Sequence, residues 1–156
     1  MAFRCIPIDT ATAARFRAAT LDDGGNPILH RVADGPSPCR HCLRDACDGE
    51  ELLLLSWHLP RPLGIYWTPS PIFLHAQDCP RFDSSNTIPD IVRSRLVSVR
   101  AYDTAGMCLY DLGHAGDGDG IDSPLARAID DDRTAFVNIH TAKPGCLLCQ
   151  VERITG

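Results

Sequence analysis

The chain has 156 residues, eight of them cysteine, and carries a formal net charge of −5 at neutral pH. A chain of this length buries most of its apolar surface as one domain, so disulfide staples are not required for folding. The acidic balance gives no overall basic field for a phosphate backbone, and no segment approaches the length of a membrane span, so neither nucleic acid nor membrane is an expected partner.

FRCIPI (3–8) predicts a strand of edge character because of Pro7, and Asp9 or Thr10 then caps a helix running to Ala19 with Ala13 and Phe16 as its apolar marks. The opening stretch, MAFRCIPIDTATAARFR, holds no apolar run long enough for a secretory signal, which implies a cytoplasmic protein with reduced thiols. DDGGNP (22–27) stops the helix, PILHRV (27–32) is a candidate second strand, and a loop rich in Pro, Gly and Ser follows. ELLLLSW (51–57) reads as a buried strand from its unbroken leucines, and PRPLG turns the chain so that IYW and PIFLH (71–75) run back along it. After Cys79 come a loop and a short helix around Pro89 to Arg93, entered through Thr87. RLVSVRAYD (95–103) is the clearest strand, with Val97, Val99 and Ala101 on one face and Ser98, Arg100 and Tyr102 on the other. Its hairpin partner is expected in MCLYDL (107–112), after the DTAGM turn. Ser123 and Pro124 read as an N-cap and first-turn proline opening a helix to about Ala128–Asp132. TAFVNIH (134–140), the AKPG turn and CLLCQVERI (146–154) complete a last hairpin. Residues 1–156 are thus expected to form a single domain of the α+β class, a mostly antiparallel sheet built from hairpins with about three short helices, without repeat or linker.

Several segments carry more than local structure: PCRHCL followed by GEELLLL, then PIFLHA, RSRLVSVRAYD, and IHTAKPGC with VER close behind. In this order and spacing they resemble the bacterial family catalogued as domain of unknown function 1203, over roughly residues 4–154. The resemblance implies family identity but no reaction and no binding residue, so mechanism rests on the residues themselves. Ser70 stands where the family pattern implies a glycine before PIF, and Cys149 where it implies no second thiol. The C-x-x-C at Cys39 is implied for some members only, which would make a metal there a subfamily property. Fourteen arginines against the single Lys143 fit a GC-rich bacterial genome better than a set of anion sites, because they form no run.

Eight cysteines exceed what packing alone requires. Cys39 and Cys42 lie in PSPCRHCL, where Pro36 and Pro38 allow a knuckle or one helical turn; either puts residues three apart on one side, as chelation requires. HAQDC supplies His75 and Cys79, four apart at a strand end, and a hairpin of 51–57 with 71–75 would return His75 beside Glu51 so that the two halves meet. Thiolates with a neutral imidazole suit Zn²⁺, and four protein ligands close a tetrahedral shell. The expected cofactor is therefore one structural zinc on Cys39, Cys42, His75 and Cys79. Cys47 and His41 are spare candidates for the fourth ligand, although His41, between two ligands, is expected to point outward. Two other readings stay open. One is free thiols buried as small hydrophobes; the other is a redox pair, with Ser37 capping a short helix whose N-terminus stabilises a Cys39 thiolate beside Arg40 and His41.

CLLC (146–149) is not read as a second chelate, because in a strand Cys146 shares a face with Leu148 while Cys149 joins Leu147 and Val151. His140 and Cys146 flank the AKPG turn, which leaves a thiol nucleophile with its base as an alternative, though without a third orienting residue. With Arg100, Tyr102 and Asp103 they make a candidate pocket for an anionic small molecule if that face is covered, and ordinary outward residues if it is not. DGDGID (117–122) fails as a calcium loop: Ile121 falls at a ligand position and Ala128 where a bidentate glutamate belongs. The function expected is a small cytoplasmic bacterial protein with a structural zinc and a binding or accessory role toward an unknown small molecule or protein. The alternative is a thiol-dependent enzyme using Cys39 and Cys42, or Cys146 with His140.

Overall fold

In chain order the elements are β1 (Phe3–Ile6), α1 (Thr10–Ala18), β2 (Leu29–Val32), β3 (Glu51–His58), β4 (Pro69–His75), α2 (Asp90–Arg93), β5 (Leu96–Tyr102), β6 (His114–Asp117), α3 (Asp122–Asp130), β7 (Phe136–Thr141) and β8 (Leu147–Arg153). They come from a computed structural model that describes residues 2–156. The strands form two antiparallel sheets, one ordered β1-β8-β7-β5-β6 and the other β2-β3-β4, so the fold is α+β.

Strict alternation in β5 decides how the larger sheet packs. Val97, Val99 and Ala101 are buried with Val137, Ile139, Cys149 and Val151 of the neighbouring strands, and α2 (Ile91, Val92) and α3 (Leu125, Ala128, Ile129) cover that face. Each such aliphatic side chain contributes about 1.5–3 kcal/mol on full burial, so this face is the main source of cohesion. A second core lies under α1, whose Ala13 and Phe16 pack on Leu53 and Leu55 of β3, Ile72 and Leu74 of β4, and the thiols Cys39 and Cys42. Asp9 caps α1 by accepting the Thr12 N–H, which removes one of its orphan donors.

The two sheets are joined through the backbone of Leu147. Its N–H donates to Ser70 Oγ at 3.0 Å, and its carbonyl accepts Arg40 Nε at 2.6 Å. Ser70, in place of the implied glycine, therefore has a structural task. The Leu147 groups need these partners because β8 carries an irregularity opposite Ile139 and His140: Ile139 pairs with Cys149 but His140 with Leu147. The extra residue also alters the expected facing. Leu148, Cys149 and Val151 all enter the main core, whereas Leu147 does not.

Three expectations are corrected. The partner of β5 is not MCLYDL but β6, which starts two residues past its end, because 110–112 form a 3-10 turn and only Cys108 bridges back to Tyr102. IYW is likewise part of a 3-10 turn at Gly64–Tyr66 and not a strand. Helix α3 begins at Asp122 with Ile121 at its cap position and no side-chain cap, so Ser123 lies inside the first turn. The chain reaches that start through Gly118, where a Cβ would stand 1.7 Å from the Val92 carbonyl oxygen; only glycine lets the two backbones come so close.

Candidate metal centre

Cys39 and Cys42 sit in a knuckle and not in a helix. Pro38 bridges Asp45 across the turn, the Cys39 N–H donates to the Arg44 carbonyl, and the Leu43 N–H returns to the Cys39 carbonyl. Leu43 closes the turn in the left-handed region, with φ 54°. That conformation is unfavourable for a branched side chain, and burial of Leu43 in the main core offsets it. With no helix present, Ser37 caps nothing; its hydroxyl donates to the Gly35 carbonyl. The helix N-terminus invoked for a Cys39 thiolate is therefore absent. The knuckle docks on the edge of β4, where the Arg40 N–H donates to the Phe73 carbonyl at 3.0 Å.

The β3–β4 hairpin supplies the other half. Leu52 pairs with His75, and the Ala76 N–H donates to the Glu51 carbonyl, so the strand end returns beside the strand start as the spacing implied. Ligand atoms of Cys39, Cys42, His75 and Cys79 all lie within 4.8 Å of one another, and this cluster could hold a metal ion. Bonds of about 2.3 Å to sulfur and 2.0–2.1 Å to nitrogen make tetrahedral edges of about 3.8 Å for sulfur–sulfur and about 3.6 Å for sulfur–nitrogen. Two edges can be compared directly: Cys39 Sγ to Cys79 Sγ is 3.9 Å, and Cys42 Sγ to His75 Nδ1 is 3.5 Å.

The surroundings prepare these atoms for a cation. His75 Nε2 donates to Glu50 Oε2 at 2.9 Å, which leaves the Nδ1 lone pair directed at Cys42. The Cys39 sulfur accepts the His75 N–H at 3.3 Å. Contacts with the Cys42 and then the Cys79 sulfur outweigh burial and hold the Cys39 thiol far below its ordinary range, while Cys39 in turn pushes both partners up. Arg17 Nη2 and His41 Nδ1 each lie 3.3 Å from the Cys79 sulfur, and Arg17 Nε also donates to the His75 carbonyl. His41 does not point outward: it is 1% exposed, and its Nε2 meets Thr10 Oγ1 at 3.0 Å. Burial, and then the Arg17 charge, push its pKa down, which favours a neutral ring held between the Cys79 sulfur and the Thr10 hydroxyl. Cys47 is exposed and stands outside the cluster. His41 was legible as a spare ligand candidate but not in the inward orientation it takes, and Glu50 was not legible; its one available signal was a carboxylate just before the strand that faces His75.

The model of the DUF1203 family, described as a protein of unknown function, matches residues 36–153. The chain belongs to this family. No curated protein and no solved structure matches it. All four clustered residues fall inside the stretch shared with DUF1203, whereas α1, with Thr10 and Arg17, lies before it.

The remaining candidates in this DUF1203 chain are dispersed. Pairing puts Ser98 opposite His140, Arg100 opposite Asn138 and Tyr102 opposite Phe136, on the face turned away from α2 and α3. Tyr102 is buried and stacks on Phe136 at 5.2 Å. The Asp103 carboxylate accepts the Ala105 and Met107 N–H groups of its own turn, each at 2.9 Å. Arg100 donates to Ser98, and His140 Nδ1 meets the Gly145 carbonyl. Asp103 and Arg100 open to different cavities, the first beside Pro60 and Phe136, the second beside Cys108 and His114. Cys146 is half-buried at the hairpin end, bonded through its N–H to Thr141 Oγ1, while Cys149 is buried with Cys5, whose contact pushes its thiol pKa up.

Proposed function

We propose that this is a small cytoplasmic bacterial protein in which Cys39, Cys42, His75 and Cys79 bind one structural zinc ion, and that the stabilised domain has a binding or accessory role. The observation that carries the reading is the convergence of three sulfurs and one imidazole within 4.8 Å, with the imidazole oriented by Glu50. Three thiolates and a neutral histidine are a donor set suited to zinc, and four protein ligands leave no coordination position for a substrate water. No helix of the described residues is long and apolar enough to cross a membrane, which agrees with the proposed compartment. The redox alternative loses its main support with the helix at Cys39. The His140–Cys146 alternative draws none from the hydrogen bonds, since His140 uses Nδ1 on a carbonyl and Nε2 has no protein partner among the described residues.

The test is metal content by mass spectrometry of protein purified without added zinc. About one zinc per chain is expected, with loss of metal in Cys42→Ser and Cys79→Ser. Full metal and an unchanged melting temperature in both variants would refute the ligand set.

A further inference from the structure

The candidate centre is closed on one side and open on the other. Cys39 and Cys42 are 0% and 3% exposed, but Cys79 is only half-buried. Cys79 and His75 form part of the wall of a pocket of about 520 Å³, completed by Arg44, Glu50, Glu51 and Asp78 among others. That volume is within the range of small-molecule sites. A centre whose only role was to hold the fold would gain nothing from a pocket at one ligand. We propose that this pocket is a port for ligand exchange at the metal, with Cys79 as the leaving ligand and a small zwitterionic thiol of the cysteine class as the entering one; the inference rests on the zinc reading above.

The lining specifies that class. Glu50 is committed to His75 and to the Cys47 N–H, and Asp78 to Arg17 at 3.3 Å. Arg44 and Glu51 are exposed, and neither has a side-chain hydrogen bond or ion pair among the described residues. Arg44 offers a guanidinium to a carboxylate, Glu51 offers a carboxylate to an ammonium, and the ligand sulfur of Cys79 marks where the entering sulfur must arrive. In the exchange the bond from the Cys79 sulfur to the metal is replaced by one from the entering sulfur, and the entering thiol's proton passes to Cys79. Charge and oxidation state are unchanged. Arg17, already donating to Cys79, and His41, in contact with it through Nδ1, hold its sulfur close by after it leaves, so the exchange is reversible.

The test times zinc transfer from the full chain to an excess of a chromogenic chelator in buffer alone, with L-cysteine, and with 2-mercaptoethanol matched in thiolate concentration. Total zinc after denaturation is read first. L-Cysteine is expected to speed transfer about tenfold more than 2-mercaptoethanol, the effect of one charge-assisted contact. Arg44→Ala should remove that difference without lowering total zinc, and Arg44→Lys should keep most of it. Brief iodoacetamide treatment, read by mass spectrometry, should label Cys79 before Cys39 and Cys42. Equal rates with the two thiols, or first labelling at Cys39 or Cys42, would overturn the port while leaving the zinc site standing. Absence of zinc in the denatured protein would overturn both.

Discussion

His140 is buried with Nδ1 on the Gly145 carbonyl and Nε2 without a protein partner among the described residues. Burial, and then the Arg100 charge, push its pKa down to about 4 from an ordinary 6.5. The folded chain therefore refuses a proton that the unfolded chain accepts, so the contribution to stability is fully present above pH 6.5 and is lost as pH falls toward 4. The loss is on the order of 3 kcal/mol. His140→Gln should show a correspondingly flatter fall in urea-unfolding free energy between pH 7 and pH 4.5 than the parent; parallel curves would contradict the buried neutral ring. Metal loss in acid affects both proteins alike, so their difference isolates the histidine. At the centre itself, Glu50→Gln keeps the shape but removes the charge that orients His75, and zinc affinity measured by chelator competition should fall about 10–100-fold. An unchanged affinity would make the Glu50 contact incidental. The four clustered residues were legible because residue type and spacing announce chelation. His41 was misplaced because alternation within a knuckle says nothing about a helix from outside it, and it is Thr10 of α1 that draws the ring inward.

Among the elements, those whose pattern repeats were legible: β5 by alternation, β3 by its leucines, α1 by Asp9. Those set by tertiary contact were not. β6 is only four residues, HAGD, with no apolar alternation, and its place depends on hydrogen bonds offered by the free edge of β5. The irregularity in β8 was hidden for a similar reason, since Leu147, Leu148 and Cys149 are all buried and no polar residue marks where the register changes. Helix α1 is held by tertiary packing as well, because nine residues are too few to be stable alone. Phe16 is its fully buried anchor and shares a core with Cys39 and Cys42. Phe16→Ala should destabilise by about 3–5 kcal/mol in urea unfolding. It should also speed alkylation of Cys39 if α1 shields the knuckle; a loss below about 1 kcal/mol would mean that the helix is not integral to the second core.

For the whole molecule, the knuckle is the junction of both cores: Leu43 enters the one under α2 and α3, while Cys39 and Cys42 enter the one under α1. A metal held there would be linked to global stability, and a strong chelator should lower the melting temperature by more than about 10 °C, reversibly on adding zinc back. A shift under about 2 °C would show that the cores stand without it. The sheet order was the least legible feature, because pairing of β1 with β8 leaves no local trace in either strand. That pairing also governs how the chain comes to be folded. Phe3 and Arg153 are partners about 150 residues apart, so β1 meets only the segment at Ser85 and Asn86 before its strand partner β8 is made. At ribosomal speeds of about 5–20 residues per second, the wait is on the order of ten seconds. Through that interval Phe3 and Cys5 lack the Cys149 and Val151 side chains they pack with, so the emergence of β8 sets the moment at which the larger sheet can close.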